Sequence, residues 1–214
     1  MTFVLHGMAR SPRVRAALLC LEECGAPYRL AAMTMDDRSK PEHISRHPFA
    51  RVPGLEDGDF TLYETQAILR YLARLFPAAG LVPGDARRAA RMDQFMGISD
   101  CYYFDGVSIA IARNRLVAAI RGVPADEEKI AAALPLAKKC FAVFDELMGG
   151  GPFLAGPSLS LADLLLGPEF IVLAKTPEGE ALLAAHPRLA RWLERMKARP
   201  SLAATEPERL AQAA

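Results

Sequence analysis

The feature that most constrains this fold is a change of sequence pattern after about residue 78. Before that point, short apolar runs typical of strands alternate with apolar residues at helical spacing; from residue 87 onward only the helical spacing is found. Residues 79–86 lie between the two patterns and contain Gly80, Pro83 and Gly84, which are typical of a linker. A chain of 214 residues has room for two small domains. We therefore predict a mixed α/β domain over 1–78 and an all-helical domain over 87–214.

The first region predicts a small open sheet with helices, in the order β-α-β-β-β-α. A helix starts at Ser11-Pro12 and stops at Gly25, and a second helix starts at Thr65. Asp57-Gly58 indicates a hairpin. The strands are expected at 2–6, at 28–33, around Leu55 and at Phe60–Leu62.

The second region predicts five helices and no strand. Ser160 and Asp163 have the spacing of a capping box, which marks the start of the third helix. We assign both residues to folding and not to a site. The other helices are expected at 87–121, 126–148, 178–185 and 188–198.

Composition excludes several classes of function. The formal net charge of +1 gives no general attraction to nucleic acid or to an anionic membrane. The sequence has neither a signal-peptide pattern at its start nor an apolar run of membrane-spanning length, so we expect a cytoplasmic protein. The four cysteines and four histidines lack metal-ligand spacing, and no metal site is expected.

Five segments occur in a distinctive order and spacing: Ser45–Pro53, Glu56–Asp59, Leu62–Thr65, Leu154–Gly156 and Ser160–Asp163. Together with the arrangement of the two regions, they make the chain resemble the cytosolic glutathione transferase family. Gly7–Ser11 is most similar to the serine-type classes, closest to phi- and theta-like bacterial members. The resemblance implies a thioredoxin-like N-terminal domain that binds glutathione, followed by an all-helical C-terminal domain that shapes a hydrophobic substrate site.

The resemblance also implies an activity and an assembly. Glutathione would be the co-substrate, its thiolate would attack a small electrophilic apolar compound, and the same thiolate would reduce organic hydroperoxides. A homodimer is implied, with Phe49 inserting into the partner subunit; the residue could otherwise be only an anchor of its own loop.

The glutathione site implied by the resemblance is assembled residue by residue. Ser11 would donate a hydrogen bond to the glutathione sulfur. Val52, before a cis Pro53, would offer its backbone to the cysteinyl part. The γ-glutamyl end would be held by Glu64 and Thr65, and the glycyl carboxylate by Arg38 and Lys40.

Ser11 has a second interpretation, a helix cap, which the residues alone favour; the resemblance adds the catalytic hydroxyl to it. A thiol with a pKa of about 8.5 needs stabilisation to ionise at neutral pH, and a hydroxyl at a helix N-terminus supplies it. However, serine followed by proline is also an ordinary helix start. Thr65 and Glu64 could likewise be only a helix cap and a carboxylate that complements the helix dipole.

Arg51 stands where phi-like members commonly have glutamine. Its guanidinium could bind a carbonyl or carboxylate of glutathione, or it could be a solvated surface charge. Because Arg51 differs from the family pattern, the chain could instead be a non-catalytic binding or regulatory protein with the same fold. A thiol-disulfide enzyme is disfavoured because Cys20, the cysteine closest to position 11, lies well inside the first helix.

The apolar substrate pocket is predicted from residues next to Ser11 and from an aromatic run. Met8 and Ala9 precede the serine, and Tyr102 and Tyr103 are followed by Phe104 in one helix. Three consecutive aromatic residues cannot share one helix face, so at least one is expected to leave the core. Their alternative role is packing between helices.

Overall fold

The computed structural model describes residues 2–212, which form two compact units. The first comprises the described residues up to Val82 and those from Lys197 onward, and the second runs from Pro83 to Met196. The structure differs here from the prediction of a single domain over 87–214. Arg199 donates two hydrogen bonds to the carboxylate of Glu23, both 2.7 Å long, and so ties the C-terminal segment to the first unit.

The strands of the first unit are β1 (Phe3–Gly7), β2 (Tyr28–Ala32), β3 (Gly54–Asp57) and β4 (Phe60–Tyr63). They form one sheet in the spatial order β2-β1-β3-β4, with β1 parallel to β2 and antiparallel to β3. The helices are α1 (Pro12–Glu23), α2 (Pro41–Ile44) and α3 (Thr65–Leu75). The predicted strands and the helices α1 and α3 follow one another in the predicted order, but the short helix α2 between β2 and β3 was not predicted.

The close approach of β1 to α1 depends on a glycine. Phe3, Leu5 and Gly7 face inward from β1, with the alternation of a half-buried strand. A Cβ on Gly7 would lie 2.4 Å from Cγ2 of Val14, which is fully buried in α1. Any larger residue at position 7 would therefore push apart the strand and the helix that starts at Ser11.

The polar stretch after β2 is more ordered than its composition indicates. Residues Asp36–Ser39 form a 3₁₀ turn, and α2 follows with Pro41 at its first position, where proline costs no hydrogen bond. The side chain of Asp37 holds the turn, because it accepts hydrogen bonds from the backbone N–H and the hydroxyl of Thr34.

The second unit is helical, as predicted, but its first long helix is not uniform. Residues 99–113 are wound as a π-helix between two α-helical stretches. The α-helices are α4 (Ala86–Ile98), α5 (Asn114–Arg121), α6 (Glu127–Met148), α7 (Leu161–Leu173), α8 (Pro177–Ala185) and α9 (Pro187–Lys197). In the first unit, α10 (Pro200–Ala204) and α11 (Pro207–Gln212) follow.

An aromatic cluster forms the centre of the second unit. Tyr103 stacks on Phe170 at a ring-centroid distance of 5.3 Å, and Phe141, Phe144 and Trp192 surround Phe170. Burying each such side chain contributes roughly 1.5–3 kcal/mol. In the described part of the chain, no helix is long and apolar enough to cross a membrane.

Candidate functional site

The register of the sheet brings three of the predicted segments to one end of it. Gly54, the first residue of β3, pairs with both His6 near the end of β1 and Tyr63 at the end of β4. Paired residues in adjacent strands have Cα atoms about 5 Å apart. The loop that leads to Ser11, the peptide that precedes Gly54 and the start of α3 therefore all leave the sheet at the same end.

Ser11 is the N-cap of α1, as predicted, but it caps the helix loosely. Its Oγ accepts a hydrogen bond from the Val14 N–H at 3.5 Å, beyond the usual range of about 2.7–3.2 Å. The first turn of α1 contains no acidic residue. A half-buried hydroxyl thus lies at a helix end whose partial positive charge no first-turn carboxylate neutralises.

The Val52-Pro53 peptide bond is cis, which confirms what the resemblance implied. Pro53 is buried and Val52 is half-buried. Because Gly54 follows immediately and pairs with β1 and β4, the backbone of Val52 lies at the end of the sheet where Ser11 lies.

Glu64 and Thr65 form the start of α3, and their backbone is unusual. Glu64 is exposed and has φ +70° and ψ +117°, a conformation that costs a non-glycine residue about 1–3 kcal/mol. Its side chain makes no capping hydrogen bond, and the first turn of α3 has no acidic residue. Amide N–H groups at such a helix end are suited to bind a carboxylate.

The three basic candidates differ in what holds them. Lys40 forms an ion pair with Asp37 at 2.6 Å, and this contact lowers the pKa of Asp37 and raises that of Lys40. The Nε of Arg38 donates to the Met35 carbonyl at 3.4 Å. Arg51 is exposed, and among the described residues only its backbone carbonyl is hydrogen-bonded, to His43 Nε2 at 2.7 Å.

The loop that carries Arg51 is supported by residues that sequence reasoning did not single out. His43 and His47 are both 2% exposed. The ring of His47 lies 4.9 Å from that of Tyr63, and burial lowers the pKa of His47. Their spacing of four residues in a polar stretch was the available signal, since it places both on one side of a helical turn.

A second support links this loop to β3. Arg46 donates a 2.6 Å hydrogen bond to Glu56, which also contacts His6 at 3.1 Å. Burial works to raise the pKa of Glu56, but its bonds to Arg46 and His6 outweigh burial and lower it. Glu56 therefore anchors this loop to β3 through Arg46.

The four residues predicted to line the substrate pocket differ in how deeply they are buried. Met8 and Ala9 are half-buried and belong to the turn that Ser11 closes by donating its N–H to the Met8 carbonyl at 2.9 Å. Tyr102 is 58% exposed in the second unit. The prediction for Tyr103 is wrong: its side chain is fully buried, and burial raises the pKa of its hydroxyl well above the usual range. The alternative, packing between helices, is the one that holds for it.

Phe49 is 68% exposed although it lies in an ordered cluster. Its ring makes edge contacts with His47 at 6.4 Å and with Tyr63 at 6.2 Å. An exposed aromatic ring held in this way leaves apolar area that a further surface could bury.

Two other features bear on the chemistry. Cys20 is fully buried in α1, which is consistent with its exclusion as a thiol-disulfide centre. Among residues 2–212, no cluster of three or more His, Cys, Asp or Glu side chains could hold a metal ion.

The chain is similar to known glutathione transferases along nearly its whole length. Family profiles match as "Glutathione S-transferase, N-terminal domain" over residues 1–74 and "Glutathione S-transferase, C-terminal domain" over residues 127–195. The chain is 32% identical over 203 residues to "Probable glutathione S-transferase GSTF1" of Oryza sativa subsp. japonica, covering 92% of each chain. It is 34% identical over 199 residues to "Glutathione S-transferase 4" of Zea mays, covering 92% of this chain and 88% of that one.

A solved structure gives the same result. The solved structure of glutathione S-transferase I from maize, in complex with an atrazine glutathione conjugate, superposes with a TM-score of 0.84 at 28% identity. The match covers 99% of each chain.

Proposed function

The chain belongs to the glutathione S-transferase family and is a glutathione transferase, and we propose that Ser11 stabilises the glutathione thiolate that attacks electrophilic apolar compounds. The observation that carries this proposal is the loose cap of α1. The Ser11 Oγ accepts a weak bond through a lone pair, so its hydroxyl proton remains available to donate to a sulfur. A hydrogen bond to the charged form lowers the pKa of a thiol.

The two readings of Ser11, helix cap and catalytic hydroxyl, are therefore compatible. In the proposed reaction, the thiolate forms a bond to the electrophilic carbon, and the leaving group departs with the electron pair of the bond that breaks. Ser11 donates its hydrogen bond throughout and is never covalently modified. It needs no histidine or carboxylate partner, because it does not have to lose its proton.

We propose that the rest of glutathione lies along the same end of the sheet. The backbone of Val52, beside cis Pro53, faces the cysteinyl part, and the amide end of α3 at Thr65 binds the γ-glutamyl carboxylate, with Glu64 pairing to the ammonium group. The unusual backbone of Glu64 supports this assignment, since strained residues concentrate at ligand sites.

The glycyl carboxylate of glutathione is assigned to the basic residues beyond β2. The parallel pairing of Ala32 with Gly7 makes that chain leave the sheet at the same end, and Arg38 and Lys40 follow. Lys40 would exchange Asp37 for the ligand carboxylate. Arg51, with its exposed guanidinium, is the third candidate in this group.

The serine-type, phi-like class and the peroxidase activity belong to the same proposal. The plant relatives and the Gly7–Ser11 segment support the class. In the peroxidase reaction, two glutathione molecules would be oxidised to the disulfide while an organic hydroperoxide is reduced to an alcohol and water. The same Ser11-stabilised thiolate would make the first attack.

Glutathione binding and the role of Ser11 can be tested together. We expect retention on immobilised glutathione and a higher melting temperature in the presence of glutathione, because a ligand that binds only the folded state stabilises it. Ser11→Ala should keep the retention but raise the pKa seen in the pH dependence of conjugation of an aromatic halide. A protein that neither binds glutathione nor gains heat stability from it refutes the site. An unchanged pH profile leaves Ser11 as a cap only.

We further propose a homodimer in which Phe49 enters the partner subunit. Its 68% exposure in an ordered cluster supports this. Phe49→Ser should shift the sedimentation of a dimer toward monomer. Phe60→Ser is the matched control, because Phe60 is 47% exposed on β4 of the same unit. An unmoved peak, or an equal shift in both variants, removes Phe49 from the interface.

A cytoplasmic location completes the proposal. All four cysteines are free thiols, as expected in a reducing compartment.

A further inference from the structure

A cavity in the second unit is lined by arginines and by a glycine-rich loop. Arg188, Arg191 and Arg195 lie on α9 at spacings of three and four residues, which places them on one side of the helix. They face Gly149–Gly151, which directly follows α6. The cavity has a volume of about 220 Å³.

Among the residues that the structure describes, the lining of this cavity contains three arginines and no carboxylate. Arg188 is neutralised, since it donates two hydrogen bonds to Asp145, at 3.1 and 2.6 Å. Arg191 and Arg195 are exposed, and neither forms a hydrogen bond or an ion pair among residues 2–212. Like charges at this spacing destabilise a helix. Asp145 also attracts Arg191 through space, but both of its oxygens are already hydrogen-bonded to Arg188, so Arg191 and Arg195 present positive charge that no hydrogen bond or ion pair within the described chain holds.

The loop that forms the opposite wall has a fixed shape. Gly149 has φ +61°, a left-handed conformation that favours glycine. A Cβ on Gly151 would lie 2.9 Å from the carbonyl oxygen of Gly156, so no larger residue fits there. At Gly150 a Cβ would meet nothing within 4 Å, so the middle of the loop borders open space. The wall is set by packing, and an anion could approach its backbone closely.

We propose that this cavity binds a small, multiply charged anion of the phosphate type, held by Arg191 and Arg195. One guanidinium group can donate two parallel hydrogen bonds to two phosphoryl oxygens, and such charge-assisted hydrogen bonds are stronger than neutral ones. The volume suits a group of the size of pyrophosphate and is too small for a folded partner. This site lies wholly in the second unit and does not depend on glutathione or Ser11.

Trp192 provides a direct readout of the site. It is the only tryptophan of the chain, it lines the cavity, and its indole N–H donates to Asp163 at 2.8 Å. The full-length protein is titrated with inorganic pyrophosphate, with sodium chloride keeping the ionic strength constant. We expect a saturable change in tryptophan emission.

Three variants separate a site from general surface charge. Arg191→Gln combined with Arg195→Gln should weaken binding at least about tenfold. Arg87→Gln combined with Arg121→Gln removes two exposed charges elsewhere in the same unit and should leave binding unchanged. Asp145→Asn removes the competing carboxylate and releases Arg188, so it should tighten binding about threefold.

Folding controls and three contrary results complete the test of pyrophosphate binding. Melting curves show whether each variant is folded, and Asp145→Asn keeps the test valid should the double arginine variant fail to fold. Any one of three results overturns the proposal. Chloride alone produces the same emission change; a folded Arg191/Arg195 variant still shows the change; or Asp145→Asn does not bind pyrophosphate more tightly. The Arg191/Arg195 variant should retain glutathione conjugation, and Ser11→Ala should retain pyrophosphate binding.

Discussion

Helices α1 and α7 both begin at a serine, and the two serines are held in opposite ways. Ser160 is fully buried, and its Oγ donates to Asp163 Oδ2 at 2.7 Å in a capping box. Ser11 is half-buried and receives one 3.5 Å bond. The same residue type at the same position of a helix can therefore complete a core or remain available to a ligand. The surrounding partners decide which of the two it does.

The tightly held end of α7 depends on one buried carboxylate. Asp163 accepts hydrogen bonds from the backbone N–H groups of Leu154 and Ser160, from the Ser160 hydroxyl and from the Trp192 indole. Burial raises the pKa of Asp163, and these donors oppose that rise. The loosely held end of α1 has no comparable network among the described residues, which is what leaves its hydroxyl usable.

The largest effect is expected at Asp163. Asp163→Ala would leave four buried donors without their acceptor, each costing about 1–3 kcal/mol, and should lower the free energy of unfolding by more than about 3 kcal/mol. Urea unfolding followed by circular dichroism measures this. Asp105→Ala is the control, because Asp105 is exposed in the same unit. A loss of unfolding free energy below about 1 kcal/mol would show that the start of α7 is not held more tightly than the start of α1.

The next effect separates function from stability. Ser11→Ala should lower the turnover number about tenfold to a hundredfold, because one hydrogen bond to a charged group contributes about 1.5–3 kcal/mol. It should lower the free energy of unfolding by less than about 1 kcal/mol, since the lost cap bond is weak. Ser160→Ala should show the reverse, with lower stability and nearly unchanged turnover. Equal losses of stability in both variants would contradict the comparison.

The smallest effect concerns the other end of α1, which is tied by Glu23 to the C-terminal segment. Burial works to raise the pKa of Glu23, but the bonds from Arg199 and Ser201 outweigh it and lower the pKa below 4.5. A lowered carboxyl pKa stabilises the fold above the unfolded-state pKa, and that stability is lost as the pH falls below about 4.5. The protection factors of the α10 amides, which compare the observed exchange rate with the intrinsic rate at the same pH, should therefore fall on acidification below that pH. Glu23→Gln should have low protection factors in α10 already at pH 7, and protection factors that do not change with pH would refute the link.

Sequence patterns predicted the individual helices and strands more reliably than they predicted which of them pack together in one unit. The four strands, the start of α1 at Ser11, the start of α3 at Thr65 and the capping box of α7 follow from local signals and are all present. The assignment of the C-terminal segment to the helical domain was wrong. Its packing depends on Arg199 meeting Glu23, a contact between residues 176 positions apart that no local pattern encodes.

The aromatic run shows the same limit at the level of side chains. Helical geometry predicts that Tyr102, Tyr103 and Phe104 cannot all be buried, but it does not say which one leaves the core. The structure buries Tyr103 against Phe170 and exposes Tyr102. The choice depends on neighbours supplied by α6 and α7, which lie far away in the sequence.

Local signals in the sequence predict where helices and strands begin and which hydroxyl lies at the end of α1, because spacing, caps and turn residues act over a few positions. The pairing of Gly54 with both His6 and Tyr63 gathers Ser11, Val52 and Glu64 at one end of the sheet, and it exists only in the folded chain. The same holds for the position of Arg191 and Arg195 opposite a glycine-rich loop. Strand order and helix packing depend on contacts between distant residues, which fix how local elements combine.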